Sequence, residues 1–102
     1  MIHVIATIEV KPGKRNAFLA EFHRIMPAVH AEAGCIEYGP TVDVASGLSV
    51  QGPLRENIAV IVEKWASLDA LKAHTQAPHM ADYRVAVKDL VESVQLQILA
   101  PA

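Results

Sequence analysis

The chain has 102 residues, 52% of them hydrophobic and 20% charged, with a formal net charge of −2. That length holds one domain with a real core, and a near-neutral balance with scattered Lys and Arg gives no electrostatic reason to bind nucleic acid or an anionic membrane surface. No apolar run approaches bilayer-spanning length, and a single cysteine, Cys35, cannot form an internal disulfide and fits a reducing, cytoplasmic compartment.

The amino terminus, "MIHVIATIEV", is apolar but lacks the basic start and small-residue cleavage site of a signal peptide. It alternates instead, with Ile2, Val4, Ala6, Ile8 and Val10 on one face and His3, Ile5, Thr7 and Glu9 on the other, which predicts a strand over 2–10. "KPGK" breaks it. From Lys14 to Ala33 the apolar residues Phe18, Leu19, Phe22, Ile25, Met26 and Val29 fall at helical spacing, and Gly34 suits a left-handed residue after the helix end. Pro27 inside this span predicts a kink or an early end.

"CIEYGPTVDV" (35–44) reads as a second strand, with Gly39-Pro40 as a bulge or an edge position. Residues 45–57 form a loop long enough to cover a pocket. "IAVIVEKW" (58–65) is the third strand. Ser67 is a good N-cap for a helix over 68–74, with Asp69 in its first turn. Pro78 interrupts, and a second helical piece runs from His79 to Leu90. Residues 92–99 alternate again, giving a fourth strand.

This βαββαβ order, with its second helix broken in two, predicts an α+β ferredoxin-like sandwich in which helices cover one face of an antiparallel sheet. Both faces of the first and third strands carry apolar side chains, Val60 and Val62 against Ile61 and Trp65 in the third. A second copy packed sheet against sheet is the simplest cover.

Two of the five histidines, His74 and His79, lie five positions apart in "HTQAPHM". On an unbroken helix that spacing turns the rings about 140° from one another, and no third ligand stands at a recognised spacing, which argues against a metal site. If Pro78 begins a new helix, the rings sit on separate pieces and can converge on one cleft. The ordinary alternative is a helix-end residue for His74 and a surface residue for His79. Glu63 and Trp65, two apart in a strand, face the same way. Such a carboxylate either lines a wet pocket as an acid or base, or pairs at the rim with Arg55 or Arg84. Tyr38 is a hydrogen-bond donor to substrate or a core tyrosine. Cys35 has no histidine partner that would mark it as a nucleophile. No nucleotide-binding, P-loop, C-x-x-C or G-x-S-x-G motif occurs.

Taken together, "GCIEY" (34–38), "VDVASG" (42–47), "EKW" (63–65), "HTQAPHM" (74–80) and "ILAP" (98–101) resemble the antibiotic biosynthesis monooxygenase family, and within it the bacterial quinol monooxygenases. The resemblance spans Ile2 to Pro101. It implies a homodimeric α+β barrel and chemistry without cofactor or metal, in which a small aromatic substrate of quinol or phenol type is deprotonated and reacts with O₂ in an apolar cavity. It marks His74 as the base, with Glu63 and Tyr38 beside it as catalytic groups, and makes Trp65, His79, Thr7 and Tyr83 the expected substrate contacts. Relatives commonly place Ser or Thr before the Pro-His pair; here Ala77 stands there. Haem-degrading members use an asparagine in the first strand, which "HVIATIEV" lacks. An isomerase acting on a small signalling metabolite, or a non-catalytic ligand-binding dimer, are the rival readings of the same pocket.

Overall fold

The computed structural model describes residues Met1–Ala102. The alternating amino terminus forms β1 (Ile2–Val10), and the helical spacing that follows forms α1 (Arg15–His30). β2 (Cys35–Thr41), β3 (Ile58–Trp65), α2 (Leu68–Thr75), α3 (Pro78–Val87) and β4 (Val91–Leu99) complete the chain. All neighbouring strands run antiparallel in the order β2-β3-β1-β4, which is the ferredoxin-like arrangement predicted from the element order.

One face of the sheet is closed by the helices. Val4, Ala6, Ile8 and Val10 of β1 and Ala59, Ile61 and Trp65 of β3 pack with Phe18, Phe22 and Val29 of α1, Leu71 of α2, and Met80 and Val87 of α3. The opposite residues, among them Ile5, Thr7, Val60 and Val62, remain half-buried on the outer face. Burying the first set rather than the second is a matter of strand parity, since cross-strand partners such as Val4 and Glu63, or Thr7 and Val60, share a face.

Three local expectations change. α1 runs unbroken through Pro27, whose missing N–H leaves the His23 carbonyl without its helical donor while the helix continues to His30. Gly34 is left-handed, at φ +82°, but it belongs to the turn into β2 and not to the helix end, which is Ala31. β2 stops at Thr41, three residues short of the expected end, because beyond it Asp43 turns away to Arg55. Pro40 is tolerated because β2 is an edge strand; the register shift of that pair lies between Cys35 and Glu37 instead.

Candidate active site

Where the helix layer meets β1, β3 and β4, it leaves a cavity of about 460 Å³. Its walls are mostly aliphatic and aromatic, with Ala6 and Ile61 on the floor, Phe22 and Met80 from the helices, and Leu96 and Ile98 from β4. β4 is covered by no helix, and Val94, Leu96 and Ile98 stand about half-exposed on the side where the cavity opens. Residues 42–57 contribute nothing to these walls. That loop folds on itself, through an Arg55 fork on Asp43 (2.9 and 2.8 Å) and Gln51 Nε2 donating to the Val44 carbonyl (2.9 Å), so the expected pocket cover is not formed.

Against this apolar background the polar side chains are few. His74 reaches the cavity from the last turn of α2, Glu63 from β3, Tyr38 from β2 and Tyr83 from α3, with Thr75, Arg84 and Lys88 lining it also. Strand alternation aims Glu63 inward, opposite Tyr38 on the neighbouring strand. Tyr38 stacks on Phe22 at 5.1 Å between ring centroids and meets His74 edge-on at 5.3 Å. His30 Nε2 donates to the Tyr38 backbone carbonyl at 2.8 Å, pinning that point of the edge strand to α1.

Glu63 is only 6% exposed. Its Oε1 accepts the indole N–H of Trp65 at 2.9 Å, and neither Arg55 nor Arg84 reaches it. Arg84 donates to the Thr75 carbonyl instead, at 2.8 Å. Burial raises the Glu63 pKa above the usual carboxylate range, against opposing pulls from the Trp65 hydrogen bond and from His74. Burial, reinforced by Glu63, likewise pushes the Tyr38 and Tyr83 phenols up, so both hold their protons at neutral pH. The Cys35 thiol is raised by burial and by Glu32 and Glu63, which keeps it a poor nucleophile.

The residue that the sequence reading missed is Glu32. It sits in the turn after α1, with its N–H on the Val29 carbonyl and its own carbonyl accepting from Cys35. Its Oε2 lies 2.9 Å from His74 Nδ1 and 2.7 Å from His79 Nε2. The two rings do converge, on the Glu32 carboxylate. Contacts across 42 and 47 positions leave no local signal in the sequence. A histidine N–H taken out of water needs an acceptor, but that need does not say which residue supplies it.

The expected site set therefore divides. His74, Glu63, Tyr38 and Tyr83 line one cavity. Trp65, expected to contact substrate, is fully buried behind the cavity wall and reaches the cavity only through Glu63 and His74, the His74 ring lying 4.7 Å from the indole. His79 is spent on Glu32 outside the cavity wall. Thr7 lies on the outer face of the sheet, because its parity is opposite to that of Val4, Ala6 and Ile8.

Known proteins place the chain in context. The family model described as antibiotic biosynthesis monooxygenase matches residues 1–86. The Escherichia coli protein named "Probable quinol monooxygenase YgiN" is 44% identical over 103 aligned positions, covering 99% of this chain and 98% of that protein. Among solved structures, Rv0793 from Mycobacterium tuberculosis superposes with a TM-score of 0.78 at 29% identity, covering 99% of this chain and 94% of the other. PA3566 from Pseudomonas aeruginosa does so with a TM-score of 0.81 at 24% identity, covering 99% and 93%, which speaks to the fold alone.

Proposed function

The chain belongs to the antibiotic biosynthesis monooxygenase family, and from that premise we propose that it is a cofactor-independent monooxygenase oxidising a quinol-like or phenolic small molecule with O₂. The observation that carries this reading is the meeting of His74, Glu63 and Tyr38 in one apolar cavity. An apolar cavity is where a flat aromatic substrate binds and O₂ partitions, and where a displaced proton has few acceptors except those the protein supplies.

His74 takes the substrate hydroxyl proton, turning an electron-rich phenol into a still more electron-rich phenolate. Tyr38 and Tyr83, both firmly protonated, donate hydrogen bonds to oxygens of the substrate. Burial raises the proton affinity of Glu63, and a phenolate beside it raises it further, which suits this carboxyl to exchange a proton with the substrate during the reaction. The electrons balance within substrate and oxygen. A hydroquinone and O₂ give a hydroxyquinone and water, with the two electrons released in forming the quinone used to reduce the second oxygen atom.

The half-buried outer face, with Ile5, Val60 and Val62, supports a homodimer in which a second copy covers it, since a monomer leaves that apolar surface wet. The test of function is oxygen uptake with a reduced naphthoquinone or hydroquinone in metal-chelated buffer. Uptake that falls by about 10²–10⁴-fold in His74→Ala is expected. Undiminished uptake in that variant removes His74 from the mechanism. Product formed without oxygen favours the isomerase reading, and saturable binding without turnover favours a ligand-binding protein.

A further inference from the structure

We propose that Glu32 is the positioning residue of this cavity: through its Oε2 it holds His74 in the tautomer that presents a basic Nε2 to the substrate, and His79 holds Glu32 in place. This inference rests on the reading of His74 as the base.

A carboxylate oxygen can only accept, so the ring nitrogens that meet Glu32 Oε2 at 2.9 and 2.7 Å both carry hydrogen. Neutral His74 therefore has its proton on Nδ1 and its lone pair on Nε2. Nε2 makes no hydrogen bond within the chain, yet no fully buried polar side-chain atom goes unpartnered. It follows that Nε2 opens onto free space, which at His74 is the cavity. When Nε2 takes a proton, the imidazolium faces a carboxylate already in hydrogen-bond contact, at a site where the His74 and Glu32 side chains are 5% and 14% exposed. Little water is present to weaken that attraction. The arrangement performs what the carboxylate of a hydrolytic triad performs, fixing the ring and stabilising its charged form without taking the proton.

The backbone is shaped for this placement. Glu32 can reach α2 because the turn that carries it presses against that helix at Gly34, where an added Cβ would lie 2.6 Å from the Ala70 side chain. The Ala66 N–H closes the same contact on the Gly34 carbonyl at 2.8 Å. On the other side of the Pro78 break, α3 starts with no side-chain cap, and the bond from His79 in its first turn to Glu32 ties that helix end to the turn. One oxygen thus joins the end of α2, the start of α3 and the α1–β2 turn.

Ring ¹⁵N NMR of selectively labelled protein reads the tautomer of His74 directly, with no substrate present. The wild type is expected to show His74 protonated at Nδ1; a ring protonated at Nε2 overturns the proposal without any variant. In Glu32→Gln the tautomer is expected to lose that bias, and kcat for oxygen uptake to fall by about 10²–10⁴-fold with KM held, because Glu32 does not line the cavity. His79→Gln keeps a donor to Glu32 and is expected to retain the tautomer and lose no more than roughly tenfold in kcat. An unchanged tautomer in Glu32→Gln, or a loss confined to KM, overturns the assignment. A wild type that consumes no oxygen with any quinol defeats the proposed function, whereas the NMR spectrum still judges the Glu32–His74 pair.

Discussion

Removing the indole donor from Glu63 by Trp65→Phe tests the electrostatics of the cavity through stability alone. Glu63 is buried and its pKa is raised, so in the folded state it holds its proton more firmly than in the unfolded chain. Its contribution to stability is then full below the unfolded pKa and is lost as pH rises through the raised folded value. The Trp65 N–H, 2.9 Å from Oε1, opposes that loss because it favours the charged form. A hydrogen bond to a charged acceptor contributes about 1.5–3 kcal/mol and one to a neutral acceptor about 1, leaving a difference of roughly 1.4 kcal/mol in favour of the charged form. Trp65→Phe should therefore raise the Glu63 pKa further. It also removes packing from a side chain with no exposure, a cost independent of pH. The melting temperatures of variant and wild type, followed by circular dichroism, should differ at about pH 4 by the packing cost and the loss of the hydrogen bond to the neutral carboxyl, and the gap should widen by about 5–10 °C toward pH 8, at roughly 4–8 °C per kcal/mol for a domain of this size. A gap that is constant or narrows with rising pH refutes the reasoning. So does a ¹³C titration in which the Glu63 carboxyl moves down.

Other substitutions separate backbone from side-chain effects. Gly34→Ala combines a left-handed φ with the 2.6 Å approach to Ala70 and should cost about 1–3 kcal/mol or more in urea unfolding. Adding Ala70→Gly should relieve the clash and leave the backbone strain. Ser67 caps α2 through Oγ on the Ala70 N–H at 3.1 Å, so Ser67→Ala should lose about 1 kcal/mol; Ala77→Ser at the uncapped start of α3 should gain about 0.5–1 kcal/mol, both read as shifts in melting temperature. Tyr38→Phe keeps the stack on Phe22 but removes a hydroxyl that has no partner in the chain. It should leave the melting temperature nearly unchanged while oxygen uptake falls by about 10²-fold; a Tyr38→Phe protein of wild-type rate removes that donor from the mechanism.

Much of the architecture was open to reading because it is written locally. The period-two pattern of β1 and β3, the helical spacing of Phe18, Phe22 and Val29, the Ser67 cap and the Pro78 restart each depend on residues within a turn or two of one another. Parity also carried real information about the site, since Glu63 and Trp65 had to share a face. The same parity set Thr7 apart from Val4 and Ala6, and treating it as a substrate contact went against that alternation. The length of loop 45–57 allowed it to cover a pocket but says nothing about direction, which here is set by the Asp43–Arg55 pair.

By itself, then, the sequence determined the order of elements and the antiparallel sandwich, because hydrophobic period, capping and turn chemistry act over a few residues; the candidacy of His74, Glu63 and Tyr38 came from the family resemblance of the motifs that hold them. Only the tertiary structure decided how those candidates are used. Trp65 became the partner of Glu63 rather than a wall of the cavity, and two histidines divided by a proline met on Glu32, an acceptor 42 and 47 positions away. Such pairings arise when distant segments are packed together and buried polar groups must find partners, a requirement that has no spacing in the chain to announce it.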